Sequence, residues 1–173
     1  MKYILLSITL LLASCTGVPE NIRPIESFEV NRYLGKWYEI ARLDHRFERG
    51  LSHVTAEYRL REDGGVKVVN RGYSEEDKEW NDAEGKAYFV DKPEIGHLKV
   101  SFFGPFYSSY VIFELDKVDY QYALVSGADR DYFWILARQP NLDPALQEKL
   151  IAQAKSLGFA TDDLIMVNHS DTP

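Results

Sequence analysis

Between Trp37 and Arg138 the chain reads as strand, turn, strand, eight times over, with no helical stretch among them. The runs are 37–43, 53–60, 66–71, 83–90, one through Leu98, Val100 and Phe102, then 110–115, 120–126 and 132–138. The second alternates cleanly: Val54, Ala56, Tyr58 and Leu60 share one face, and Thr55, Glu57 and Arg59 the other. That period of two marks a half-buried strand. Asp63-Gly64-Gly65, Asp91-Lys92-Pro93-Glu94, Gly104-Pro105 and the stretch from Gly127 to Asp131 are turn chemistry. Residues 76–82 are polar and read as a loop, with Trp80 packing. Connections this short join antiparallel neighbours. Eight twisted antiparallel strands remove both sheet edges by closing on themselves. The expected fold is all-β, an eight-stranded antiparallel up-and-down barrel, and two packed sheets are the competing solution.

One helix follows. Asp143 can cap it, Pro144 suits its first position and Gly158 its exit. Leu146, Leu150, Ala154 and Leu157 make one apolar stripe, so a C-terminal helix should lie against the outside of the barrel. Residues 164–167 are a short apolar run suited to pairing beside the first strand.

The N-terminus is an address. Lys2, the apolar run from Ile4 to Leu12 and the small residues Ala13 and Ser14 describe a secretory signal too short to span a membrane. Leu12-Ala13-Ser14-Cys15 resembles the lipobox of bacterial lipoproteins. The likeness implies acylation at Cys15 and cleavage before it. Thr16 after the cysteine resembles signals for the outer membrane of a Gram-negative cell, facing the periplasm. Several acyl chains give stable anchoring, at about 0.8 kcal/mol per buried methylene. The domain reading is therefore 1–14 signal, 15–24 lipidated N-terminus and tether, and 25–173 barrel domain.

An eight-stranded barrel is either filled by side chains or holds one small ligand. Alternation offers inward pairs such as Ala56 and Tyr58, Val68 and Asn70, Ala87 and Phe89, Ile112 and Glu114, or Tyr122 and Leu124, and periodicity leaves the inward face open. Ala83, Gly85 and Ala87 share a face that leaves room for something else. The candidate cavity and mouth residues are Tyr58, Asn70, Phe89, Phe102, Phe106, Tyr110, Ile112, Glu114, Tyr122 and Trp134. Following the meander, His45, Arg46, Phe47, Arg49, Phe103, Phe106, Tyr107 and Arg130 share one end. Cations beside aromatics suit an amphiphile with a phosphate or carboxylate head. The alternative is a filled barrel that presents Phe47, Phe106 and Tyr107 to a protein.

Other classes find less support. The 20 Lys and Arg against 27 Asp and Glu give a net charge of -7, with no global field for nucleic acid. The single cysteine precludes an internal disulfide. The four histidines lack metal-ligand spacing, and no Gly-x-Ser-x-Gly elbow is present. A Glu114–Tyr122 pair meeting inside the cavity is the one catalytic arrangement to weigh. The reading is of no enzyme, no cofactor and no metal.

Three further motifs carry a resemblance. Tyr33-Leu34-Gly35-Lys36-Trp37-Tyr38-Glu39-Ile40 resembles the opening signature of lipocalins. Asp119-Tyr120 with Tyr122 resembles the second signature, and Trp134-Ile135-Leu136-Ala137-Arg138 the third. The likeness runs from about Phe28 to Val167 and is nearest to bacterial outer-membrane lipocalins and apolipoprotein D-like members. It implies that Trp37 lies across the closed end with Arg138 over it, in one cluster with Gly35, Asp119 and Tyr120. Val118 stands where many members have Thr, which removes one capping hydrogen bond. The resemblance also implies storage or transport of fatty acids or lysophospholipids, envelope maintenance under stress, and room for a homodimer.

Overall fold

The computed structural model describes residues 16–170. The signal segment and Cys15 lie outside the described residues. Eight strands close into one antiparallel barrel: β1 (Gly35–Arg42), β2 (Leu51–Leu60), β3 (Val66–Ser74), β4 (Glu79–Phe89), β5 (His97–Ser101), β6 (Ser108–Leu115), β7 (Tyr122–Ser126) and β8 (Phe133–Ala137). Each pairs with the next, and β1 pairs with both β8 and β2, so no edge is left between first and last. A ninth strand, β9 (Ile165–Met166), adds to β1 through Ala41↔Met166 and Arg42↔Ile165. This is the pairing the apolar run at 164–167 suggests. A helical turn, α1 (Val30–Tyr33), precedes the barrel, and α2 (Pro144–Ser156) follows it. The Asp143 carboxylate accepts the Leu146 N–H at 3.1 Å, and Gly158 leaves the helix at φ +88°.

The loop expected at 76–82 is only partly a loop. β4 begins at Glu79, and Trp80 pairs with Tyr73 of β3. Polar composition hid the strand because both faces of this hairpin end are exposed. Trp80 is covered by Arg71, whose guanidinium lies 4.6 Å from the ring centroid.

Two apolar cores share the barrel wall. The inner one includes Trp37, Tyr58, Val66, Val68, Leu98, Ile112, Val125 and Leu136. The outer one joins Ile40, Val111, Leu124, Phe133 and Ile135 to Leu150 and Ala154 of α2. Phe159 stacks against Phe113 at 5.5 Å and meets Phe133 at 4.7 Å. Ile22 is buried in the same outer core. The stretch read as a tether is therefore attached to the wall from Gly17 onward, by Ile22 and by backbone bonds such as Ile25 N–H to Ile112 O at 2.9 Å.

Two bulges set which side chains look inward. In β6 the register slips between Ile112 and Glu114. Tyr110, Ile112 and Leu115 face in, while Phe113 turns out to the helix side. In β1 the slip lies between Glu39 and Ala41, so Ile40 and Ala41 both turn outward, and Glu39 and Arg42 meet on the other side. An extra residue at a bulge inverts the alternation beyond it.

Candidate functional site

The closed end is built by Trp37, which is fully buried. Its Nε1–H donates to Tyr33 O at 2.8 Å, and the Arg138 guanidinium lies 4.0 Å from the ring centroid. Arg138 also donates to Lys36 O at 2.8 Å and Arg32 O at 2.7 Å, tying α1 to the end of β8. Burial lowers its pKa, against the pull of Tyr33 and Tyr58. Gly35 sits at φ +90°, a conformation that favours glycine, beneath this plug. Tyr120 joins it: its hydroxyl accepts the Glu29 N–H at 3.2 Å and Arg32 covers its ring at 4.1 Å. Asp119 takes a different place from the one the resemblance implies. Its side chain is exposed, and the turn is held instead by Asp116, which accepts from Val118 N–H and Gln121 N–H at 3.2 Å each.

Above the plug lies a floor of three tyrosines. The Tyr110 hydroxyl sits 2.7 Å from that of Tyr33 and 2.8 Å from that of Tyr58. Burial raises the pKa of all three, so they remain neutral and hydrogen-bond one another.

From this floor a chamber of about 430 Å³ opens toward the other end of the barrel. Its size falls in the range of about 300–1,000 Å³ seen for small-molecule sites. Most of the wall is apolar: Val54, Ala56, Val66, Val68, Ala87, Leu98, Val100 and Leu136. Gly85 makes room for Phe102, since a Cβ there would stand 2.9 Å from its ring. Phe47, Phe103, Phe106, Tyr107 and Tyr132 surround the mouth. The barrel is thus hollow, which corrects the filled-barrel alternative.

Of the candidate residues, Tyr58, Asn70, Phe102, Phe106, Tyr110 and Trp134 line this chamber. Four do not. Phe89 packs on Phe28 toward the closed end, with centroids 6.2 Å apart, and Ile112 is wholly buried in the inner core. Glu114 lies on the outside, where its Oε2 accepts from Gln153 Nε2 of α2 at 2.6 Å. Tyr122 packs against the outer core, and burial followed by the Glu114 charge raises its pKa. The supposed acid–base pair is therefore beside the helix and outside the cavity. The β6 bulge turns Glu114 outward, and Tyr122 shares the outer face of the regular strand β7 with Leu124.

The wall also carries a charged group that alternation could not reveal. Arg42 donates to Glu39 Oε1 at 2.6 Å and to Glu48 O at 2.6 Å. Glu48 Oε2 lies 2.9 Å from His45 Nε2 and accepts the Trp134 Nε1–H at 3.1 Å. Glu39, His45 and Glu48 line the chamber. Burial, followed by the charge of Glu48, raises the Glu39 pKa well above the usual carboxylate range, despite Arg42. Burial acts on Glu48 in the same sense, but the hydrogen bond and charge of His45, with the Trp134 N–H, bring its pKa down. The pair therefore holds one proton more readily than two charges. Among the described residues no group of three or more His, Cys, Asp or Glu could hold a metal ion.

The chain is similar to known proteins. A lipocalin-like domain model matches residues 28–169. The outer membrane lipoprotein Blc of Vibrio cholerae is 59% identical over 159 residues, covering 92% of this chain and 93% of that protein. The Escherichia coli K12 protein of the same name is 50% identical over 149 residues, covering 86% of this chain and 84% of its own. Among solved structures, insecticyanin from the tobacco hornworm Manduca sexta superposes with a TM-score of 0.71 at 19% identity, covering 90% of this chain and 88% of that one. A closed barrel with an external helix, an arginine-covered tryptophan plug and a matching domain over most of its length make this chain a member of the lipocalin family.

Proposed function

We propose that this chain is an outer-membrane lipoprotein that binds a single-chain amphiphilic lipid, a fatty acid or lysophospholipid, and stores or carries it for envelope maintenance under stress. The observation that carries the reading is the chamber: apolar walls, a sealed floor and one mouth. An acyl chain gains most from apolar walls, and its head group stays at the opening. The names of the Vibrio cholerae and Escherichia coli relatives support the location in the outer membrane. Acylation of Cys15 supplies the anchor, and the chain works by binding rather than by catalysis.

The test is a titration of a chain beginning at Thr16, which contains every strand and helix described, with a lysophospholipid below its micelle concentration. Trp134 in the chamber wall reports occupancy by fluorescence. Saturable micromolar binding is expected. Silence toward both lysophospholipid and fatty acid overturns the reading. Cys15→Ser in the full chain is expected to abolish outer-membrane fractionation.

A further inference from the structure

The N-terminal segment begins at the open end of the barrel. Gly17 O accepts from Ser109 Oγ at 2.6 Å, and a Cβ on Gly17 would lie 4.0 Å from Ala128 O. Ser109 is the second residue of β6, and Ala128 belongs to the β7–β8 connection, so both sit beside the mouth. From there the chain descends the wall. Arg130 holds Glu20 O, Ile25 N–H bonds to Ile112 O, and Phe28 N–H reaches Glu94 O at the closed end. Two peptide links separate Gly17 from Cys15, a reach of at most about 7 Å at roughly 3.5 Å per residue. Anything attached to Cys15 is therefore attached next to the mouth.

The rim of that mouth is aromatic. Phe103 is 70% exposed and Phe106 72%, on the β5–β6 connection, and Phe47 is 55% exposed on the opposing β1–β2 connection. Residues 102–107 carry no charge. The closed end exposes apolar side chains too, with Val118 at 77%. Exposure alone does not choose between the two ends. The position of Gly17 does.

We infer that the mouth is a membrane-docking face, on which Phe47, Phe103 and Phe106 enter the interface of a phospholipid bilayer and the chamber opens onto the lipid. This rests on the reading of Cys15 as an acylated anchor. Aromatic rings favour the boundary between head groups and acyl chains. The charge around the mouth selects the surface. On the connections around the mouth, Asp44, Glu75, Glu76, Asp77, Asp129 and Asp131 outnumber Arg46, Arg49, Lys78 and Arg130, on a chain of net charge -7. Anionic head groups gain nothing from such a rim. The partner is a zwitterionic phospholipid surface, held by insertion of aromatic rings, and salt leaves the contact intact.

The test uses the lipoprotein itself, reconstituted in phosphatidylethanolamine–phosphatidylcholine vesicles with brominated acyl chains. Acylation occupies the one native thiol, so a single cysteine introduced by Phe106→Cys or Val118→Cys takes an environment-sensitive dye selectively. Both positions are exposed, and neither change touches the buried cores. Quenching by the brominated lipid is expected to be severalfold stronger at 106 than at 118, with or without added salt. Equal quenching, or stronger quenching at 118, overturns the docking face. Mass spectrometry of the same protein separates the two failures. Acyl groups present with quenching at 118 leave the anchor standing and refute only the orientation. An unmodified Cys15 removes the anchor and the inference with it.

Discussion

The Arg138 guanidinium covers the Trp37 indole at 4.0 Å while its nitrogens hold the carbonyls of Lys36 and Arg32. One side chain thus contributes a cation–π contact and ties together α1, the start of β1 and the end of β8. Trp37→Ala is expected to destabilise the fold by about 3–5 kcal/mol, the range for large buried aromatics. A urea midpoint near the wild-type value would contradict this. Arg138→Lys keeps the charge but loses the planar fork, and should recover only part of the stability lost in Arg138→Ala.

Arg42→Ala leaves the buried Glu39 carboxyl and the Glu48 carbonyl without their donor, and a loss of about 1–3 kcal/mol is expected for burying unpaired acceptors. Chemical denaturation reads it directly.

Glu39→Gln should change the pH dependence of stability. The folded state holds a proton on Glu39 that the unfolded chain releases near 4.5. Stability is therefore lost as pH rises from that value through the raised folded pKa. The Gln variant lacks this loss, so its midpoint should fall less steeply over the same window. A slope identical to wild type would show that Glu39 stays charged.

His97 acts in the opposite sense. Burial lowers its pKa below 6.5, against the charge of Asp91. The folded state then binds fewer protons than the unfolded chain, so stability is present above 6.5 and is lost as pH falls below it. Ser109 Oγ donates its one hydrogen to Gly17 O, so the His97 Nε2 at 3.2 Å must be its N–H donor. His97→Gln should blunt the acid loss, measured as the difference between midpoints at neutral and mildly acidic pH. His169, also lowered by burial, contributes sensitivity of the same sign.

Ala56→Phe places a ring in the chamber. Lysophospholipid affinity should fall by about tenfold or more, equivalent to roughly 1.4 kcal/mol, with the far-UV spectrum unchanged. Retained affinity would place the ligand elsewhere.

The barrel was legible because its strands alternate and its turns carry Gly, Pro and Asp. Tyr58, Phe102 and Trp134 are cavity candidates that line the chamber, although alternation alone leaves the inward face open. Glu114 could not be placed, because one extra residue in β6 inverts the parity and leaves no mark in composition, and Tyr122 could not, because both faces of β7 are apolar. Glu39 and Arg42 have opposite parity in a regular strand, so only the β1 bulge brings them together. Tyr33 precedes the first strand, and its meeting with Tyr58 and Tyr110 joins segments far apart in the chain. Ile22 lies in the stretch read as a tether, and it anchors that stretch to the wall.

The tyrosine floor and tryptophan plug make the chamber a blind well. A molecule inside has no second exit, so it leaves by reversing its entry, and the next occupant waits until it has gone. Such a protein cannot serve as a conduit through which cargo streams. In the proposed carrier role it is a ferry, and its throughput is set by how quickly the mouth is vacated.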